Sequence, residues 1–211
     1  MTRHRHITRR RFAAGALAGA AIGAGAAKGA LAQTLTATSE LGPFYPSGYR
    51  GETDADLTRV AGAAKRAEGQ VIEIMGRVLD RHGNPIRGAV LDLWQANHHG
   101  RYDHPQDPAV MPLDPGFQGF AKVATGGDGS WKLTTIKPGS YDSPIGNRPP
   151  HIHLDVAGVD SRIVTQMYFP EDAEANARDT LYSQLGADAP TVVAKALGDH
   201  RYAWDVVLIE G

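Results

Sequence analysis

The sequence predicts a mainly β protein with a β-sandwich core. Seven short runs rich in β-branched and aromatic residues follow one another from residue 70 onward, and each is bounded by Gly, Pro, Asn or Asp. Only one longer stretch has the composition of a helix, and two long polar connections interrupt the strands. This pattern is typical of sandwiches of the transthyretin or immunoglobulin type, with long active-site loops and one or two short helices.

The predicted elements can be given in chain order. The seven strands are QVIEIMGRVLD (70–80), GAVLDLWQA (88–96), GFAKVAT (119–125), SWKLTTI (130–136), HIHLDVAG (151–158), RIVTQMYFP (162–170) and YAWDVVLIE (202–210). The glycine-rich segment TGGDGSW predicts a tight turn between the third and fourth strands. EDAEANARDTLYSQL (171–185) predicts the main helix, since its acids gather at the start, and a second short helix is expected over 191–197.

The first 32 residues have the composition of an export signal. A basic start is followed by an Ala/Gly-rich apolar run and small residues near position 32, and Thr8–Phe12 reads TRRRF, which matches a twin-arginine signal. We therefore expect export through the twin-arginine translocase, to the periplasm or out of the cell. The alternatives are an ordinary secretory signal and a basic tail. Residues 33–69 form a polar N-terminal arm, and 70–211 form the sandwich domain.

Charge and composition exclude several classes of partner and site. Without the six Lys and Arg of residues 1–32, 16 basic residues face 23 acidic ones, a net charge of −7. Nucleic acid and anionic membranes are therefore not expected as partners. The apolar run of the signal is too short to span a bilayer, so stable membrane association is not expected either. The chain has no cysteine, which excludes disulfides and thiolate metal sites.

A His-x-His pair and two tyrosines suggest a metal site. His151 and His153 share one face of a predicted strand, where they could bind one ion or be two polar residues on a solvated face. Tyr102 and Tyr141 each lie on one of the long connections, 96–118 and 137–150. A phenol has a pKa of about 10, so it is a poor ligand unless a strong Lewis acid takes its proton. Phenolates with imidazoles suit ferric iron, although each tyrosine could instead be a core ring.

Four segments together resemble a known family. LWQANHHGRYDHP, DGSWKLTTIKPGSY, RPPHIHL and TQMYFP occur in the order found in the intradiol ring-cleavage dioxygenases. The resemblance covers roughly residues 40–210, and within the family it is greatest to the iron-carrying β chains of protocatechuate 3,4-dioxygenases. Two tyrosines and a His-x-His in this fixed order are a specific signature.

The resemblance implies a ligand set and a reaction. The implied ligands of a non-haem Fe(III) are Tyr102, Tyr141, His151 and His153, with Tyr141 and His153 axial and the other two equatorial. Tyr141 would leave the metal when the substrate arrives. Arg148 would stabilise negative charge on the substrate ring, and Gln166 would line the same pocket. The implied substrates are O2 and a protocatechuate-like catechol, which is cleaved to a cis,cis-muconate-type diacid, and a homo-oligomer or a second subunit is consistent with the family.

Two positions depart from the family pattern, and a third segment agrees with it. Ser143 stands where the protocatechuate enzymes usually have an aromatic residue, and Asn147 stands where they usually have tryptophan. Both changes open or polarise the pocket wall, so they are compatible with ring cleavage but count against protocatechuate itself as the substrate. The segment GPFYP resembles a family segment near the pocket, so we expect Tyr45 to line it.

Two other functions compete with this interpretation. A cupin-type metal enzyme would use His151, His153 and a third ligand, with the third imidazole from His98, His99 or His104, but it leaves the two tyrosines without a role. GNPIRGAVLDLW and DGSWKLTTIKPGSY also resemble transthyretin-like or carboxypeptidase-regulatory sandwich modules. That likeness makes a non-catalytic binding module the alternative to an enzyme.

Overall fold

The computed structural model describes Met1 and residues 32–210, which contain eleven strands. They are β1 (Val71–Asp80), β2 (Val90–Trp94), β3 (Phe120–Ala124), β4 (Ser130–Ile136), β5 (Tyr141–Ser143), β6 (Gly146–Arg148), β7 (His151–Ala157), β8 (Arg162–Tyr168), β9 (Lys195–Gly198), β10 (Arg201–Ala203) and β11 (Val206–Leu208). The predicted mainly β sandwich is confirmed. The twin-arginine prediction falls on residues outside the described part of the chain, apart from its two ends.

Two sheets face each other across the core. In the first, β1 pairs antiparallel with β4 on one side and parallel with β10 and β11 on the other, and β9 extends the sheet beyond β10. The second is antiparallel, in the order β3-β2-β7-β8. The inner faces alternate with the strand period of two, which places Ile74 of β1, Leu93 of β2 and Leu154 of β7 in one core cluster.

Strand β7 is buried on both of its faces. Ile152, Leu154 and Val156 face the core. His151, His153 and Asp155 lie on the opposite face and are also buried. A strand with polar residues on its outer face would normally face water, so the rest of the chain must cover this face.

The helical predictions are partly wrong. The stretch predicted as one helix divides into a 3-10 turn (Pro170–Asp172), α1 (Ala173–Arg178) and α2 (Thr180–Gln184), because Asp179 between them is extended, with φ −71° and ψ 130°. The second helix is absent from the described residues at 191–197. A 3-10 helix (Gly186–Val192) ends there and β9 follows.

The last strand and the second long connection also differ from prediction. YAWDVVLIE forms β10 and β11, separated at Trp204 and Asp205, whereas one strand was predicted. The connection 137–150 contains the hairpin β5–β6, which was not predicted. TGGDGSW is a turn as predicted, and it passes from the second sheet to the first, since β3 pairs with β2 and β4 with β1.

The N-terminal arm packs along the edges of both sheets. Its backbone pairs Ser39 N–H with the Val164 carbonyl of β8 at 2.8 Å, and Leu57 N–H with the Thr134 carbonyl of β4 at 2.9 Å. The Leu57 side chain is fully buried in the core cluster. Covering sheet edges in this way blocks pairing with other chains. Within the described residues, no helix has the length and apolarity needed to cross a membrane.

Candidate active site

The two long connections meet at a pair of glycines. Gly139 N–H donates to the Asn97 carbonyl at 2.9 Å, and the Asn97 side chain accepts from His99 N–H at 2.8 Å. A Cβ at Gly100 would overlap the Ser140 carbonyl oxygen, and a Cβ at Gly139 would overlap the His98 carbonyl oxygen. Glycine is therefore required at both positions, and the close approach brings the tyrosine of each connection to one place.

Tyr102 is positioned from its own loop. Its backbone N–H donates to Asp107 Oδ2 at 2.6 Å, and its ring packs on Phe44 with a centroid distance of 4.7 Å. The residue is 4 % exposed, yet its hydroxyl has no hydrogen-bond partner among the residues that the structure describes. Buried hydroxyls usually have partners, so this oxygen is free to bind something that the protein does not supply.

The two histidines come from the outer face of β7. Proline cannot donate from its nitrogen, but the Pro149 carbonyl accepts from His151 Nδ1 at 2.6 Å. Because a carbonyl only accepts, Nδ1 carries the hydrogen and Nε2 presents a lone pair. His153 stacks on Trp94, its cross-strand partner, at 4.9 Å and 14°. Both rings are thereby held with Nε2 facing the same point.

The hairpin β5–β6 supplies Tyr141. Tyr141 pairs directly with Arg148 across the hairpin, so one element fixes both side chains. The Tyr141 ring lies edge-on to Tyr102, with centroids 5.5 Å apart. Its hydroxyl oxygen is 3.4 Å from His151 Nε2, and that nitrogen is 3.2 Å from His153 Nε2. The structure therefore brings the side chains of the four predicted ligands together in one cluster.

Burial sets the protonation of this cluster in the absence of a cation. It raises the pKa of Tyr102 well above its usual value, and the neighbouring Tyr141 adds to the effect. The pKa of Tyr141 is also raised, chiefly by burial. Burial and the positive charge of Arg148 lower the pKa of His151 to about 3, and burial with the neighbouring His151 lowers the pKa of His153 well below its usual value. The histidines are thus neutral imidazoles at neutral pH, the form that binds metals.

Arg148 is held by a buried network beside the cluster. Its Nε donates to Asp179 Oδ2 at 2.5 Å, and its Nη2 donates to Gln166 Oε1 at 2.6 Å and to the Tyr168 hydroxyl at 3.2 Å. Asp179 is fully buried and caps α2 by accepting from Tyr182 N–H at 2.8 Å. The break between α1 and α2 therefore delivers the carboxylate that pairs with Arg148.

A cleft of about 680 Å³ opens from this cluster to the surface. Tyr141, Arg148, His153 and Gln166 line its base. Pockets of this size that combine apolar walls with a few convergent polar groups are typical small-molecule sites. Among residues 32–210, no group of three or more His, Cys, Asp or Glu side chains could hold a metal, which argues against the three-ligand cupin arrangement.

Comparisons with known proteins agree with this geometry. The dioxygenase family model matches residues 41–210. The protocatechuate 3,4-dioxygenase beta chain of Burkholderia cepacia is 40% identical over 184 residues, which cover 79% of this chain and 76% of that protein. The chain belongs to the intradiol ring-cleavage dioxygenase family.

Other members differ in substrate. A hydroxyquinol 1,2-dioxygenase of Rhizobium sp. (strain MTP-10005) is 31% identical over 63% of this chain and 47% of its own length. Among solved structures, the dioxygenase domain of a carbohydrate-binding fusion from Streptomyces sp. SirexAA-E superposes with a TM-score of 0.63 at 27% identity, over 84% of this chain and all of that one. The family is thus an oxidoreductase family, and the relatives do not agree on one substrate.

Sequence reasoning placed one residue wrongly and missed others. Tyr45 does not line the cleft. Its hydroxyl donates to Asp92 Oδ2 at 2.8 Å, and its neighbour Phe44 lines the cleft instead. The contributions of Asp179 and Tyr168 to the Arg148 network were not predicted. An Asp–Thr pair inside a predicted helix is a capping signal that could have located the break at Asp179.

Proposed function

We propose that the protein is a non-haem Fe(III) intradiol dioxygenase that cleaves a catechol-type ring with O2 to a cis,cis-muconate-type diacid. The observation that carries the proposal is the convergence of two phenols and two neutral imidazoles at one buried point, with Nε2 of His151 3.2 Å from Nε2 of His153. Both atoms of O2 enter the product, so the reaction balances without an external reductant. Family membership supports the same chemistry.

The two phenol oxygens and two imidazole nitrogens suit a ferric ion, whereas contacts within the described protein do not satisfy all of them. Tyr102, Tyr141, His151 and His153 would hold the ion. The Tyr102 hydroxyl, which has no partner in the described part of the chain, would gain one, and the burial that disfavours a free phenolate would be offset by a trivalent cation. When bound, the ion would supply the Lewis acidity that keeps both phenols deprotonated and makes a chelated catechol reactive toward O2.

The surrounding residues would bind and orient the substrate. Tyr141 lines the cleft, so as a phenolate it is placed to accept a proton from a catechol hydroxyl. Arg148 cannot lose its proton and would stabilise negative charge that develops on the ring. Gln166 lines the cleft and accepts a hydrogen bond from Arg148, which fixes the orientation of both side chains.

Export and assembly belong to the same proposal. A twin-arginine signal over residues 1–32 would deliver a protein that has already folded around its iron to the periplasm or the medium. Two protocatechuate 3,4-dioxygenase alpha chains are 32% and 31% identical to this chain, which supports a homo-oligomer or a second subunit as a further hypothesis.

Iron loading tests the proposal directly. Protein reconstituted with ferric iron should show the purple or burgundy colour of phenolate-to-iron charge transfer, and it should consume O2 with catechol while the diacid accumulates. Tyr141→Phe should shift or bleach the colour and lower kcat/KM about 100-fold, because the internal base is lost. Tyr45→Phe is the matched control, since its hydroxyl bonds to Asp92 outside the cleft. Colourless, inactive protein after careful loading would favour the non-catalytic sandwich module.

A further inference from the structure

The outer part of the cleft is apolar and exposed. Val110 is 95% exposed and Met111 is 45% exposed, both on the connection 96–118. Ile145, at the turn of the β5–β6 hairpin, is 47% exposed and lines the same cleft from the other connection. Large apolar side chains that face water from both loops are a feature of surfaces that bind ligands or partners.

The backbone holds these side chains at the cleft mouth. Asn97 Nδ2 donates to the Pro112 carbonyl at 2.9 Å, and Arg101 Nη1 donates to the Met111 carbonyl at 2.5 Å. Asp107 Oδ1 accepts from Ala109 N–H at 2.8 Å. The segment carrying Val110 and Met111 is thus tied on both sides, and the apolar mouth is a built feature of the loop.

The charges of the cleft disfavour an anionic substituent. Glu40, Asp107 and Asp142 line it, and Arg148 is its one Lys or Arg among residues 32–210. Arg148 is already paired with the fully buried Asp179. A carboxylate carried on the substrate ring would therefore lose water without gaining a free cation, and burying an unpaired charge is costly.

The size of the cleft points to more than a single ring. About 680 Å³ lies within the range of about 300–1,000 Å³ that holds drug-sized ligands. A catechol bound at the base, against Tyr141 and His153, would leave the volume beside Val110 and Ile145 unfilled.

We infer that the outer cleft binds an extended, neutral apolar substituent, alkyl or aryl, on the catechol ring, and that the enzyme prefers such catechols to carboxylated ones. The inference rests on the proposed function. It identifies Val110, Met111 and Ile145 as specificity-determining residues. Protocatechuate is then not the preferred substrate, although the sequence is similar to that of a protocatechuate 3,4-dioxygenase beta chain.

A matched pair of compounds isolates the charge. Protocatechuate and its butyl ester share the same ring and the same electron-withdrawing carbonyl, and they differ in charge and apolar length. With iron-loaded protein, the ester should have at least tenfold higher kcat/KM, mainly through a lower KM. Anaerobic calorimetry should give at least tenfold tighter binding of the ester without any turnover. 4-Butylcatechol should likewise exceed unsubstituted catechol in kcat/KM.

A charge placed at the mouth should reverse the preference. Val110→Lys should lower the ester-to-acid ratio of kcat/KM at least tenfold, because it offers the missing cation and removes apolar surface. Val159→Lys is the matched control, since Val159 is 81% exposed outside the cleft, and it should leave the ratio unchanged.

The outcomes separate this inference from the proposed function. If catechol is cleaved but the acid equals or exceeds the ester, the substrate preference is wrong while the activity stands. If no catechol is cleaved by iron-loaded protein, the proposed function fails first. If Val110→Lys changes the oligomeric state in light scattering and leaves the ratio unchanged, the mouth is a subunit interface and the inference is overturned.

Discussion

Strands β1 and β7 occupy equivalent places in the two sheets, and their outer faces differ. Each lies between neighbours on both sides, and each buries an alternating apolar face in the shared core. The outer face of β1 is open, with Arg77 exposed and Glu73 partly exposed. The outer face of β7 is buried from His151 to Asp155, although it carries His151, His153 and Asp155.

The cover over β7 accounts for the difference. Tyr102 and Tyr141 of the two long connections lie against its histidine end, whereas charged side chains such as the Lys132–Glu73 pair remain in water beside β1. Burying polar groups lowers stability unless every one of them is satisfied. Solvation accounts for the polar face of β1, whereas the buried polar face of β7 is what the proposed metal site would require.

The largest effect is expected from making the outer face of β7 apolar. His153→Leu removes a donor and should abolish iron binding and colour. In metal-free protein the same change should raise the free energy of unfolding by about 1 kcal/mol, because the buried Nδ1 of His153 has no hydrogen-bond partner within residues 32–210 and is replaced by an apolar group. Urea denaturation of iron-free protein measures the stability, and metal analysis measures the iron.

His82→Leu is the control for that experiment. His82 is exposed in the turn after β1, so this change should leave iron content and colour intact. A His153→Leu protein that still bound iron stoichiometrically, or that unfolded more readily than the metal-free parent, would show that the histidine face serves packing and not metal.

Substitutions on the inner faces of β1 and β7 should lower the free energy of unfolding by similar amounts, in contrast to substitutions on their outer faces. Leu154→Ala in β7 and Ile74→Ala in β1 each empty a site that is 1% exposed in the same cluster. Each should lower the free energy of unfolding by about 3 kcal/mol, from lost transfer energy and the cavity left behind. Urea denaturation checks both. Val159→Ala should stay within about 0.5 kcal/mol, and a Leu154→Ala cost below 1 kcal/mol would mean that β7 does not share the β1 core.

The strands were predictable because their signal is local. Alternating β-branched residues between turn residues predicted β1, β4, β7 and β8 closely, since both the period and the boundaries are visible in the sequence. The sequence predicted one helix over 171–185, whereas the structure has two short helices there, α1 and α2. The composition of this stretch favours one helix, but Asp179 is extended where it caps α2 and pairs with Arg148 thirty-one residues earlier. The Asp–Thr pair is a local signal for the cap, but the pairing with Arg148 is long-range and cannot be read from the local sequence.

The site was predictable only in part, for a related reason. The four donors and Arg148 could be named from motif order, and the structure brings them together with Gln166. Phe44 and Tyr45 are adjacent on an irregular arm without a period, so their directions could not be read from the sequence. Trp94 ends a predicted strand, but its stacking on His153 depends on the register between β2 and β7.

The smallest effect is expected at Tyr168, which lies beside the histidine end of β7 and hydrogen-bonds to both Arg148 and Gln166. The Tyr168 hydroxyl accepts from Arg148 Nη2 at 3.2 Å and lies 3.0 Å from Gln166 Oε1, while its ring stacks on His151. Tyr168→Phe keeps the ring and removes one of the contacts that orient Arg148. It should lower kcat/KM about 3- to 10-fold, or roughly 1 kcal/mol, with KM nearly unchanged and the colour of the iron-loaded protein intact.

Tyr182→Phe tests whether the effect of Tyr168→Phe comes from the orientation of Arg148 or from packing around α2. The Tyr182 ring packs edge-on against Tyr168 at 4.9 Å, one layer further from the donors, so the same chemical change there removes no contact to Arg148. Its kcat/KM should remain within twofold of the parent. If both variants lose activity equally, the loss reflects looser packing around α2. If only Tyr168→Phe lowers kcat, Tyr168 contributes to catalysis by orienting Arg148. The functional part of the buried polar face then includes this positioning residue as well as the four proposed ligands.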